Sequence, residues 1–154
     1  DRLQGPEHTL LGQSLKDFVV KRKDKLYAYQ LAVVVDDAEQ GITHVVRGSD
    51  LLDSTPRQIF LQQRLDYPTP RYCHLPVITT PQGQKFSKQN HAPALDNSMA
   101  HSNLLCALRF LHQSEPPAAL ASVEQLLAYA IEHWSLEQIP AVSSIPAASI
   151  GLSA

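Results

Sequence analysis

The sequence predicts an α/β chain, part of a parallel sheet followed by a small all-helical module. Two apolar runs rich in β-formers, residues 42–47 and 72–79, flank one amphipathic segment. Strand, helix and strand in that order make a right-handed parallel βαβ unit. Past residue 93 the apolar period changes to that of helices. A length of 154 residues allows one domain or one and a half.

Residues 1–25 open with Asp1-Arg2-Leu3-Gln4-Gly5-Pro6, closed by a Gly-Pro breaker. Residues 17–22 read as a strand that ends at the charged turn Lys23-Asp24-Lys25. Residues 27–37 carry two signals. Val33-Val34-Val35 favours a strand by propensity. Leu31, Val34, Val35 and Ala38 instead fall at i, i+3, i+4 and i+7, with Gly41 placed as a helix C-cap, and periodicity is taken over propensity. The strand at 42–47 is Val-rich and expected to be buried on both faces. Gly48 and Ser49 break it, and ligands collect in loops at the carboxyl ends of parallel strands.

Asp53 or Ser54 can cap the next helix, where Pro56 suits the first turn because its missing N–H is no loss there. Ile59, Phe60, Leu61 and Leu65 supply its apolar side. The strand at 72–79 leads through Pro81-Gln82-Gly83-Gln84, a turn signal, to Lys85-Phe86-Ser87-Lys88-Gln89. The arrangement looks like the second half of a Rossmann-type sheet. Beyond it, Leu104, Leu105, Leu108 and Leu111 form one helical stripe. Val123, Leu126, Leu127, Ala130, Ile131 and Trp134 form another, with Pro116-Pro117 between the two helices. After Pro140 the tail is expected to fray.

An apolar fraction of 44% with 18% charged residues describes a globular chain and excludes a disordered one. The net charge of -2 gives no global basic field, so any nucleic-acid contact must come from a local patch. Arg57, Arg64, Arg71 and Arg109 are scattered and read as solvated surface. Cys73 and Cys106 lack CxxC spacing, which argues for structural thiols in a reducing, cytoplasmic compartment over zinc or a disulfide framework. No apolar run approaches the length of a membrane span, and no membrane partner is expected. Asp1 is not a translational start, so the sequence is read as beginning inside a longer chain.

Arg47 ends a buried strand with a charge it cannot shed, and so needs a carboxylate or carbonyls nearby. A salt bridge to Asp50 or Asp37 would satisfy it, as would a bound carboxylate, which a guanidinium fork suits better than Lys would. Tyr29 reads as a packing tyrosine with a solvated tip. His74 reads as structural rather than catalytic. Lys85 and Lys88, three apart, form either an ordinary solvated basic turn or two ammonium groups aimed at one polyanion, with Phe86 anchoring the loop.

Residues 42–50, 53–59 and 72–78, followed by Lys85 to Gln89, resemble the nucleotide-binding half of the class I glutamyl-type aminoacyl-tRNA synthetases. Lys85-Phe86-Ser87-Lys88-Gln89 is similar to their mobile "Lys-Met-Ser-Lys-Ser" loop, with Phe for Met and Gln for the last Ser. The resemblance covers roughly residues 1–135. It implies that residues 1–25 end an inserted acceptor-type subdomain and a connecting strand. Residues 26–92 would be the second half of the catalytic domain, and 93–154 a helical module like a stem-contact domain.

The resemblance also implies the roles. Arg47 grips the carboxylate of bound glutamate, and Tyr29 lines the same pocket. Lys88 reaches the ATP phosphates with Lys85 and Ser87 beside it, and main-chain groups of His74, Leu75 and Pro76 lie beside the adenine. ATP with Mg2+ is the implied cofactor. No metal ligand is expected in these residues, since the family's other signature, "His-Ile-Gly-His", and any zinc site belong upstream of Asp1.

Within the family, the short reach beyond the lysine loop, Asp1-Arg2-Leu3-Gln4-Gly5 and the Ser-Lys-Gln loop ending resemble the glutamyl-queuosine tRNA(Asp) branch. That branch activates glutamate and transfers it to the queuosine base at the wobble position of tRNA(Asp). The expected partners are therefore glutamate and the tRNA(Asp) anticodon stem-loop, bound by a monomer. A cut glutamyl-tRNA synthetase charging tRNA(Glu), or a non-catalytic RNA-binding module lacking the ATP half, are the alternatives. The piece alone is expected to be inactive.

Overall fold

A computed structural model describes residues 1–10, 12, 15–87, 92 and 94–150 of the chain, with side chains to residue 148. The chain divides into two compact units, Asp1–His74 and Leu75–Ala154. The architecture is α/β.

In the first unit, helix α1 (Tyr29–Glu39) leads to strand β1 (His44–Gly48), and helix α2 (Thr55–Arg64) leads to strand β2 (Arg71–Leu75). β1 and β2 are hydrogen-bonded neighbours that start side by side, the Arg71 N–H donating to Thr43 O at 2.9 Å. α1 packs on α2. Periodicity prevailed over β-propensity in α1: Val34 is buried, while Leu31, Val35 and Ala38 on the same face are half-buried. The helix stops in a Schellman motif. The Ile42 N–H donates to Asp37 O at 2.9 Å and the Gly41 N–H to Ala38 O at 3.2 Å, with Gly41 at φ +66°.

Several expectations are corrected in this unit. Residues 17–22 form no strand. They run extended and largely exposed, with one antiparallel bridge from Lys21 to Tyr27 across the turn at Lys25. The pairing is limited to that narrow hairpin, in which the Arg22 N–H donates to Leu26 O at 2.8 Å and the Ala28 N–H to Val20 O at 3.0 Å. β1 is not buried on both faces, since His44 and Val46 are exposed, Val46 at 62%. α2 lacks the side-chain cap expected from Asp53 or Ser54, because a 3-10 turn (Ser49–Ser54) feeds directly into it. Its buried residues are Thr55, Gln58, Leu61 and Gln62, whereas Ile59 and Phe60 are half-buried and Leu65 is exposed.

The run at 72–79 is two strands and not one. β2 ends at Leu75, and β3 (Val77–Thr79) belongs to a different sheet. Pro76 lies between them, and a proline cannot donate to a ladder. In the second unit β3 pairs in parallel with β4 (Ser144–Pro146), Ile78 opposite Ile145. The tail expected to fray is therefore held as far as residue 150: Ile145 and Ala147 are buried, and the turn Ala147–Ile150 touches α3 (Ala100–Phe110).

α3 packs on α4 (Val123–Glu132), which starts in a capping box between Ser122 and Gln125. The apolar stripe of α4 is buried only in part. Leu126 is 1% exposed, but Leu127, Ile131 and Trp134 lie open, since α3 covers only a narrow side of the helix. Gln113, buried, ties the ends of α3 and α4 together by donating to Ser135 O and accepting from the Ser135 N–H.

Gly41 offers a clean stability test, because a Cβ there would meet nothing within 4 Å and only the backbone conformation is at stake. Gly41→Ala should cost roughly 1–2 kcal/mol, the penalty of a left-handed conformation for an ordinary residue. Gly41→Asn should cost less than Gly41→Ala, and urea unfolding midpoints would read the order.

Candidate functional site

The polar inner face of α2 is the unusual feature of the first unit. Gln58 and Gln62 are 1% and 2% exposed, and burying an amide without partners is unfavourable. Gln58 is satisfied at both ends. Its Oε1 accepts from Arg47 Nη2 at 2.8 Å and its Nε2 donates to Gln30 Oε1 at 2.9 Å. Gln30 Nε2 in turn donates to Ser54 Oγ at 3.1 Å. Gln62 Nε2 pairs with the Tyr72 hydroxyl at 2.9 Å, while its Oε1 has no partner among the described residues.

Arg47, near the end of β1, is held from three sides. Nε donates to His74 Nε2 at 3.0 Å, and Nη2 donates to Thr55 Oγ1 at 2.9 Å as well as to Gln58. The guanidinium carbon lies 5.3 Å from the centre of the Tyr72 ring. The salt bridge to Asp37 or Asp50 weighed from sequence is not what holds it: its hydrogen-bond partners are all neutral. Nη1 donates to none of the described residues, so one end of the fork is unspent.

His74 is fully buried. Because Nε2 accepts from Arg47, the ring proton belongs on Nδ1, which donates to Asp1 Oδ2 at 2.6 Å. Burial first, and the Arg47 guanidinium second, hold its pKa down at about 4. The contact with Asp1 is thus a hydrogen bond from a neutral imidazole and not an ion pair. Asp1 Oδ1 accepts from the N–H groups of Leu3, Gln4 and His74, and Gln4 Nε2 donates to His74 O at 2.8 Å. Segment 1–5 is in this way tied to β2. Burial also pushes the Tyr72 hydroxyl up, with the Gln62 hydrogen bond and Arg47 opposing and the charges of Asp37 and then Tyr29 adding to the rise.

The sequence-predicted residues divide between the units. Arg47 and His74 touch, and Tyr29, half-exposed at the first turn of α1, adjoins Gln30 of the same network. The main-chain N–H and carbonyl of His74 are already engaged by Asp1 and Gln4. Leu75 ends β2, and Pro76 is buried.

In the second unit the lysine loop leaves a tight turn, with Gly83 at φ +81° and the Phe86 N–H donating to Ile78 O at 2.9 Å. Lys85 is exposed and pairs across the turn with Thr79, while Phe86 and Ser87 are half-buried. Lys88 and Gln89 lie outside the described residues. Sequence reasoning missed Asp1, Gln30, Thr55, Gln58 and Gln62 as site residues. A usable signal was present: Thr55, Gln58 and Gln62 share one helical face.

The catalytic-domain family "tRNA synthetases class I (E and Q)" matches residues 8–105. The chain belongs to that family. Glutamyl-Q tRNA(Asp) synthetase of Pseudomonas fluorescens is 52% identical over 152 residues, covering 97% of this chain and 51% of the relative. The protein of the same name from Neisseria meningitidis serogroup A is 55% identical over 130 residues, 84% of this chain and 44% of the relative. The chain therefore spans about half the length of the curated relatives it matches. Among solved structures, glutamate-tRNA synthetase of Elizabethkingia anophelis matches with a TM-score of 0.60 at 23% identity, over 89% of this chain and 32% of that one, a likeness of fold. A class I synthetase domain thus accounts for the α/β unit that carries Arg47.

Among the described residues no group of three or more His, Cys, Asp or Glu is placed to hold a metal ion. No helix among them is long and apolar enough to cross a membrane.

His74 makes stability depend on pH. Its folded pKa of about 4 lies below the ordinary 6.5, so between those values the unfolded chain binds the extra proton. The stabilisation is complete above pH 6.5 and is lost as pH falls toward 4. Unfolding midpoints measured from neutral pH downward should show that slope, and His74→Gln should flatten it.

Proposed function

We propose that the complete protein activates glutamate with ATP and transfers it to the queuosine base at the wobble position of tRNA(Asp). The observation that carries this reading is Arg47, held rigidly by neutral partners with Nη1 unspent. That arrangement suits a substrate carboxylate. Tyr29, whose hydroxyl has no hydrogen-bond partner among the described residues, would complete the glutamate pocket. The names of the relatives at about half identity over nearly the whole chain support the choice of acceptor.

In this reading the α-carboxylate of glutamate attacks the α-phosphate of ATP, forming glutamyl-adenylate and releasing pyrophosphate. No general base is required, since the nucleophile is already a carboxylate. Lys88, with Lys85 and Ser87, stabilises the charge that builds on the leaving pyrophosphate, and removing such a group costs about 100-fold or more in rate. Main-chain groups of Leu75 and Pro76 remain for the adenine, those of His74 being engaged. A ring hydroxyl of queuosine then attacks the adenylate carbonyl and expels AMP. Magnesium would enter with ATP and would supply positive charge for the reacting phosphates. The partner is the tRNA(Asp) anticodon stem-loop, and the protein works as a cytoplasmic monomer.

Full-length protein given ATP and labelled glutamate should label queuosine-containing tRNA(Asp) and leave unmodified tRNA(Asp) and tRNA(Glu) blank. Labelling of tRNA(Glu) at its 3′ end would make it an ordinary glutamyl-tRNA synthetase. Arg47→Ala should abolish glutamate-dependent pyrophosphate exchange while the KM for ATP holds. A wild-type KM for glutamate in that variant would return Arg47 to a purely structural part.

A further inference from the structure

We propose that Asp1 and His74 are positioning residues for glutamate recognition: Asp1 holds His74 as its Nδ1–H tautomer, so that Nε2 fixes the Arg47 guanidinium. The inference rests on the reading of Arg47 as the carboxylate-binding group. It adds a residue far along the chain, 73 positions from its partner, that touches no substrate.

The geometry fixes the imidazole proton, while the Thr55 hydroxyl, 3.2 Å from His74 Nε2 and 3.3 Å from Leu51 O, can donate to either. Arg47 Nε can only donate, so His74 Nε2, 3.0 Å away, must accept. His74 Nδ1 must then carry the proton, and it faces Asp1 Oδ2 at 2.6 Å. The other carboxylate oxygen of Asp1 is fixed by three main-chain N–H groups, so the aspartate cannot turn. The charged and titratable groups around the ring are the carboxylate and the amino group of Asp1, Arg47 and the Tyr72 ring stacked at 6.0 Å between centroids. Asp50 acts on it only through the field. Thr55 and Gln58 hold Nη2, so Nε and Nη2 are both committed and the guanidinium plane is set. Nη1 is thereby aimed without being occupied.

Asp1→Asn tests this directly. The main-chain N–H groups keep the amide oxygen, which turns the NH2 group onto Nδ1. His74 must then accept there and carry its proton on Nε2, against the Arg47 Nε–H. In the full-length variant the KM for glutamate should rise about 10- to 100-fold, the range that misplacing a positioning group costs, with little change in the KM for ATP. The 15N spectrum of histidine-labelled protein at neutral pH should show the Nδ1–H pattern for His74 in wild type and the Nε2–H pattern in the variant.

An Nε2–H or doubly protonated His74 in wild type overturns the proposal, as does a folded Asp1→Asn protein with unchanged KM for glutamate. Should Asp1→Asn not fold, the wild-type spectrum still decides, and His74→Gln, which keeps an acceptor for Arg47, should retain more glutamate affinity than His74→Leu. Absence of glutamate-dependent exchange in wild type would instead refute the functional reading, leaving the tautomer result to stand on its own.

Discussion

A guanidinium that cannot be neutralised, half-buried at the end of β1, sets the terms for the first unit. Arg stays protonated whatever its surroundings, so the fold must supply acceptors. It supplies them from three stretches: His74 from β2, Thr55 and Gln58 from α2, and the Leu51 carbonyl from the turn between β1 and α2. Each of these then needs its own partner. Gln58 recruits Gln30 from α1, and His74 recruits Asp1. Thr55 and Gln58 on the polar face of α2, and Asp1 in the segment docked on β2, all serve that one charge.

Much of this was legible in the sequence. Apolar period placed α4 and, together with the family resemblance, α1, where it correctly overruled the β-propensity of Val33-Val34-Val35, because a helix face packed on α2 decides more than the preference of three branched residues. Gly41 marked the stop of α1 through a conformation other residues avoid. Arg47 was found because a charge at the end of an apolar strand is conspicuous. Its holders were not, since glutamines in a helix look like solvent-facing residues until the phase of the helix is known. The strand at 72–79 was misread because one proline in an apolar run can mark either an edge or a break, and here it separates two sheets.

The second unit was read less well. A tail with several Ser and Ala looked unstructured, yet Ile145 and Ala147 are buried, and β4 depends on a parallel partner, β3, that lies more than sixty residues earlier. Pairing at such separation has no local signature. The exposed Leu127, Ile131 and Trp134 make the opposite point. A clean apolar stripe states which side of a helix can be buried, and the number of neighbours decides how much of it is.

The choice of neutral acceptors around Arg47 is also what leaves the residue useful. A carboxylate about 4 Å from a cation is worth about 4 kcal/mol at an effective dielectric of about 20, so an aspartate in the place of Gln58 would hold the guanidinium more strongly. It would also compete with any carboxylate arriving at Nη1. An amide, a hydroxyl and an imidazole fix direction through hydrogen bonds while leaving the full positive charge in place. The same logic keeps His74 neutral: an imidazolium there would repel Arg47 and remove the acceptor that orients it. Asp1, the carboxylate among the described members of the network, is placed on the far side of the imidazole, where it orients the ring without touching the cation. Charge and position are thus set by different residues, and only the position is spent on the fold.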